Sequence, residues 1–183
     1  MQTAARSGAS RPRPSAATPC DGGHLVADVE GLECWTCTLH GDPVSKGRPR
    51  FARRGAKVIS YTPARTSMFE AEAAALMAVE WGNRAPISTA CELTVVSVFQ
   101  RPGRLRCKHK RPCECDPGRA PKITRPDLDN CAKAVSDAIQ RAGVVHDDAC
   151  VAALHAIKVW AAEGESPRTE IRLCWGPAVE AMR

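Results

Sequence analysis

Residues 150–175, "CVAALHAIKVWAAEGESPRTEIRLCW", decide how the rest of the chain is read. Its two ends, "CVAALHAIKVW" (150–160) and "RTEIRLCW" (168–175), have the composition of strands, and the Gly-, Ser- and Pro-bearing "AAEGESP" (161–167) between them has that of a hairpin loop. Two strands joined this way predict an antiparallel pair, which argues for an α+β domain and against a doubly wound one. Working outward, "LECWTCTLHG" (32–41) alternates with Trp35, Cys37 and Leu39 on one side. "CELTVVSVFQR" (91–101) is rich in β-branched residues and sets Leu93, Val95 and Phe99 on one face and Val96 and Val98 on the other, as a strand covered on both sides would. Two segments carry a helical period. The first runs from a cap at Thr66 or Ser67 to Trp81, with Phe69, Ala73, Leu76 and Val79 or Glu80 as its stripe and Gly82 as its stop. The second repeats at Cys131, Ala134, Val135, Ala138, Ile139 and Ala142 and stops at Gly143. The expected order is strand, helix, strand, helix, strand, strand: a small mixed sheet with two main helices.

A chain of 183 residues with 44% hydrophobic content is the size of one ordinary domain. Residues 1–30 are rich in Ala, Ser, Pro and Arg without a period and read as a disordered leader, so the domain is expected over 31–178. The leader lacks the apolar run of a secretory signal, and no apolar run approaches a membrane span. The reading is a cytoplasmic protein, not a membrane protein, whose ten cysteines are reduced thiols or metal ligands rather than a disulfide frame. A net charge of +6 suits a polyanionic partner.

That charge is concentrated. "DPVSKGRPRFARRGAKVISYTP" (42–63) holds Lys46, Arg48, Arg50, Arg53, Arg54 and Lys57 with no acid after Asp42, and reads as a basic loop or ragged hairpin. Residues 101–125 hold nine Lys and Arg against Glu114 and Asp116 and read as a second basic loop. Between Arg125 and Asp148, by contrast, "RPDLDNCAKAVSDAIQRAGVVHDD" sets Asp127 and Asp129 at the mouth of the second helix and Asp147 and Asp148 beyond its end. Helix capping by Asp129 or Asn130, an Asp129–Lys133 surface pair and a polar turn account for each feature alone. If the strand after the turn runs beside the segment carrying Asp127, three carboxylates converge. Oxygen donors without a histidine cluster favour Mg²⁺ or Mn²⁺ over zinc. Such a metal lowers the pKa of its water and neutralises charge on a phosphodiester under attack, with Lys133 placed to contact the phosphate.

The run "DLDN" (127–130), then Lys133, a helix ending in "AG" (142–143) and "DD" (147–148) before a strand resembles the signature of the RusA family of Holliday junction resolvases, endodeoxyribonucleases of phages and prophages. "PVSKGRPRF" (43–51) and "YTP" (61–63) resemble the basic segment of its phage members, and the likeness spans about Thr36 to Trp175. The resemblance implies a homodimer that binds four-way DNA junctions and cuts them symmetrically with Mg²⁺ in recombination and repair. Carried over by position, the metal-binding aspartates are Asp127, Asp129 and Asp148, the essential lysine is Lys133, and Asp147 matches a neighbouring acid. Flanking phosphates would fall to Lys46, Arg48, Arg50, Arg53, Arg54, Lys57, Lys108, Lys110, Arg111, Lys122 and Arg125. The long leader and the cysteine-bearing loop depart from the short family pattern. A rival reading is a zinc-stabilised nucleic-acid-binding module without catalysis, resting on Cys107, His109, Cys113 and Cys115 in "CKHKRPCEC" (107–115). The one-residue gaps there are tighter than ordinary zinc spacing.

Overall fold

A computed structural model of the chain describes residues 32–55, 57–103 and 118–180. Strand β1 (Glu33–His40) leads through residues 41–49 to a two-stranded hairpin, β2 (Arg50–Arg54) and β3 (Lys57–Tyr61). Helix α1 (Ala64–Trp81), strand β4 (Cys91–Phe99), the two-residue β5 (Ala120–Pro121) and helix α2 (Leu128–Arg141) follow. A 3-10 turn (Asp148–Cys150), β6 (Val151–Trp160), β7 (Arg168–Trp175) and the short α3 (Pro177–Glu180) close the chain. The architecture is α+β, with two main helices on a mixed five-stranded sheet in the order β1-β7-β4-β6-β5. Of the two forms expected for the first basic segment, loop or ragged hairpin, residues 50–61 take the hairpin, and β5 forms inside the second basic loop.

The expected pairing at the C-terminus is corrected. β6 and β7 do not pair with each other but flank β4, parallel on the β6 side and antiparallel on the β7 side. Turn composition signals a reversal, not which neighbour the returning strand takes. Stepping over one strand covers about 10 Å, and the seven residues 161–167, at about 3.3 Å each, reach that easily. Between β4 and β6 the chain makes the crossover through α2 that parallel pairing requires.

The core lies between the sheet and the helices, where Trp35, Cys37, Leu93, Val95, Ile171 and Leu173 of the strands meet Ala73, Met77 and Trp81 of α1 and Val135, Ala138 and Ile139 of α2. Trp81 stands edge-on to Trp35 and to Trp175, each at 5.6 Å between ring centroids. The face that α1 buries differs from the expected stripe: Ala73, Met77 and Trp81 turn inward while Val79 is 82% exposed and Leu76 lies outside the core. Apolar residues surround this alanine-rich helix, so their spacing does not single out one face. The cap of α1 also comes earlier, at Pro63, whose carbonyl accepts the Thr66 and Ser67 N–H groups. Thr66 is buried and caps nothing. Its hydroxyl accepts the Gly47 N–H at 3.1 Å and lies 3.4 Å from the Ser45 carbonyl, fastening residues 45–47 to the helix.

The cysteines divide. Cys34 on β1 and Cys174 on β7 form a disulfide between directly paired residues, where reduced thiols or metal ligands were expected. Cys37, Cys91, Cys131 and Cys150 are free. Among the described residues no helix is long and apolar enough to cross a membrane.

Candidate active site

Helix α2 starts at Leu128 because Pro126, whose ring cannot donate a helix hydrogen bond, ends the incoming segment and Asp127 takes the extended cap position. The Asp127 carboxylate makes no capping bond. Both Asp127 and Asp129 are exposed, and Asp129 only meets the Asn130 amide at a long 3.5 Å. The capping account of these acids therefore fails to find its hydrogen bonds. Asp147 does cap: it accepts the Ala149 N–H at 2.8 Å and shapes the 3-10 turn.

That turn carries Asp148 to the side of α2, where its Oδ2 meets Lys133 Nζ at 2.6 Å across 15 residues of sequence. Lys133 also bonds Asp137 Oδ1 at 2.9 Å, so the helical pair expected from Asp129 is made four residues onward instead. The second Asp137 oxygen takes Lys46 Nζ at 2.6 Å, and Lys46 reaches Glu70 of α1 at 2.5 Å. The Lys46 N–H also donates to the Asn130 carbonyl at 2.7 Å. A continuous row of alternating charge, Glu70–Lys46–Asp137–Lys133–Asp148, thus joins α1, the strap 42–49, α2 and the acidic turn. Hydrogen bonds to Asp148 and then Asp137 hold the Lys133 ammonium well above the ordinary lysine range. Burial works against the Asp137 carboxylate, but bonds from Lys46 and Lys133 outweigh it and hold it below the ordinary range.

Two other lysines fix the segment that delivers Asp127. Lys122 is 6% exposed, its ammonium 4.8 Å from the Phe99 ring centroid and 4.6 Å from that of Trp160. It donates to the Thr124 hydroxyl at 2.8 Å, to the Thr124 carbonyl at 3.0 Å and to the Arg125 carbonyl. Burial, with the Lys158 charge added, brings it below the ordinary lysine value. Lys158 of β6 donates to the Thr124 carbonyl at 2.9 Å and the Pro126 carbonyl at 2.5 Å.

Several of the cations expected to contact DNA are engaged within the protein. Lys122 is an internal strut and Lys46 is held between two carboxylates. Arg101 is buried, donating to the Ala161 and Gly118 carbonyls, and Arg119 pairs with Glu165 and Glu170. The second basic loop owes part of its charge count to these internal duties. Arg48, Arg50, Arg53, Lys57 and Arg125 are exposed. Arg48 and Arg50 line a cleft of about 760 Å³ with Arg65, Gln100, Trp160 and Pro126, the residue before Asp127. Lys108, Lys110 and Arg111 lie outside the described residues, as do Cys107, His109, Cys113 and Cys115; the side chain of Arg54 does too.

Sequence reasoning missed Asp137, Glu70, Arg65 and Lys158. Asp137 had a signal, its spacing of four from Lys133; the others depend on which elements pack together. Asp127, Asp129 and Asp148 offer the hard oxygen donors that Mg²⁺ takes. Among the described residues, however, no three His, Cys, Asp or Glu stand as a group able to hold a metal, and Asp148 is turned onto Lys133.

Two comparisons bear on this arrangement. The chain is 29% identical over 142 residues to the uncharacterized protein YqaN of Bacillus subtilis (strain 168), covering 78% of this chain and 96% of that one. Residues 40–174, which include the strap, both helices and every acid of the site, match the family described as Endodeoxyribonuclease RusA. The chain belongs to the RusA endodeoxyribonuclease family.

Proposed function

We propose that the protein is an endodeoxyribonuclease that resolves four-way DNA junctions, with Asp127, Asp129, Asp148 and Lys133 as its working residues. The observation that carries the assignment of residues is the meeting of Lys133 with Asp148, which joins the helix of the "DLDN" run to the "DD" turn. Asp127, Asp129 and Asp148 would hold Mg²⁺, which when bound lowers the pKa of a water and neutralises charge on the phosphate. Lys133 offers an ammonium beside that place, suited to a non-bridging phosphate oxygen that gains charge during attack. Arg48, Arg50 and Arg65 along the cleft supply phosphate contacts, which give affinity and salt dependence but little choice of sequence. A homodimer would present two such sites to the two-fold junction.

The test is cleavage of a synthetic four-way junction, a linear duplex and a single strand, each with Mg²⁺ or EDTA. Paired nicks on the junction alone, and only with Mg²⁺, are expected. Binding without nicks under every metal would overturn the assignment in favour of a non-catalytic module.

A further inference from the structure

Lys133 has one partner that the proposed chemistry does not use. Asp137 stands one helical turn further along α2, holds Lys133 at 2.9 Å with one oxygen and Lys46 at 2.6 Å with the other, and is 21% exposed. Lys46 is in turn gripped by Glu70 at 2.5 Å and tied through its backbone to Asn130. A surface i, i+4 pair has neither a second cation on the same carboxylate nor an anchor on two further elements, and contributes little. Here the carboxylate is fixed from behind.

We infer that Asp137 is a positioning residue for Lys133, and that Lys46, from the same basic strap, acts through Asp137 rather than on DNA. The inference rests on the proposed role of Lys133. A cation held by Asp148 would compete with Lys133 for that carboxylate, and Asp137 is the partner that remains to Lys133. A lysine stem has four rotatable bonds, so an ammonium without a fixed partner spreads over many rotamers. Asp137 limits it to the neighbourhood of Asp148. The Lys46 charge on the far oxygen keeps Asp137 ionised and oriented, so that it can hold Lys133 from one direction only. Glu70 and Asp137 together also occupy the Lys46 ammonium, which removes it from the phosphate-binding surface.

Kinetics on a four-way junction with Mg²⁺ distinguish positioning from DNA contact. Asp137→Asn keeps the shape of the side chain and loses the charge. It should lower kcat about ten- to a hundred-fold while leaving KM and metal-free junction affinity at parental values. Lys46→Met should lower kcat in the same way, Lys46→Arg should restore most of it, and the double variant Asp137→Asn/Lys46→Met should be no worse than Asp137→Asn alone. Parental kcat in Asp137→Asn, or a loss confined to junction affinity in Lys46→Met, would overturn the inference. Should Asp137→Asn melt below the assay temperature, the Lys46→Met and Lys46→Arg pair decides alone, and equal turnover by the two refutes it. Asp129→Asn is measured in parallel. If it too cuts normally, the proposed active site has failed; if it is dead while Asp137→Asn is normal, only the positioning role has.

Discussion

Replacing Lys122 by Met separates two roles that one basic residue could play beside a DNA-binding site. Methionine preserves the apolar stem between Phe99 and Trp160 and removes the ammonium. The Thr124 carbonyl keeps its bond from Lys158 at 2.9 Å, so its loss is partial. The Arg125 carbonyl loses its Lys122 donor in a part-buried bond on an exposed residue, which water partly replaces, so the loss costs about 1 kcal/mol. Two ring contacts, at 4.8 and 4.6 Å, disappear as well, worth about 1–2 kcal/mol where the cation is desolvated. Relief from burying a charge offsets part of this. The balance is a destabilisation of about 1–2 kcal/mol, which with a urea slope of roughly 2 kcal/mol/M moves the unfolding midpoint down by about 0.5–1 M. Nicking should fall too, because the freed carbonyls belong to the segment that sets Asp127. A phosphate-contacting lysine behaves in the opposite way: its removal leaves the urea midpoint in place and lowers the salt slope of junction binding by about one. An unchanged midpoint with a reduced slope would refute the internal role.

Asp129→Asn, Asp127→Asn and Asp148→Asn should each abolish nicking and leave metal-free junction binding equal or tighter, checked by paired nicking and gel-shift assays; normal nicking by all three would return these acids to structural duties. Acid should loosen the loop between β6 and β7. Burial raises the Glu165 carboxyl, but Arg119, the Ala162 N–H and Arg168 outweigh it and take its pKa from 4.5 to about 2. A depressed carboxylate stabilises above its unfolded value and loses that contribution as pH falls through its folded one. The melting temperature should therefore drop between about pH 4.5 and pH 2, and less steeply in Arg119→Ala. Gly47→Ala places a Cβ 2.8 Å from Pro63 Cγ, a rigid ring atom. The strap must shift, and urea titration should show a loss of about 1–3 kcal/mol together with slower nicking.

The parts of this fold that were legible in the sequence are those written in local pattern. β4 declares itself as a strand by its β-branched residues, although the cover expected on both faces is only partial on one: Leu93 and Val95 enter the core, while Thr94 and Val96 are half-buried. α2 declares itself because Cys131, Val135 and Ile139 repeat on its buried face while Asp129 and Lys133 stay out. Partnership was not legible. Nothing within residues 150–175 says that β4 will be inserted between the two strands, since the information lies in the match of Leu93 and Val95 to Leu154 and Ala156 on one side and to Leu173 and Ile171 on the other. The same limit governs charge. Lys46 and Arg48 are near neighbours in one basic run, yet one is enclosed by Glu70 and Asp137 and the other is exposed on the cleft. Composition counts cations, and only packing distributes them between structure and surface. For the site, "DLDN" and "DD" named the acids, whereas Asp137 needed the geometry to be seen as more than a helical pair.

The parallel pairing of β4 with β6 is what makes one site from two acidic segments. With β6 beside β4, α2 has to cross the sheet between them, and the chain leaving α2 has to return to the start of β6. The return is pinned: Ile87 donates to the Val144 carbonyl at 2.9 Å and its own carbonyl accepts the His146 N–H at 2.9 Å, just before the aspartates. Asp148 then has no route except along α2, where Lys133 meets it. The resulting row holds the carboxylates of Glu70, Asp137 and Asp148 against the ammoniums of Lys46 and Lys133, and Asp127 and Asp129 add two more negative charges to the same helix. Among the described residues, exposed Arg48, Arg50, Arg53, Lys57 and Arg125 accompany this acidic centre. Those cations attract a phosphate backbone and the acidic centre repels it, so the proposed metal site leads to one expected outcome: the protein binds DNA without a divalent cation and cuts it only with one.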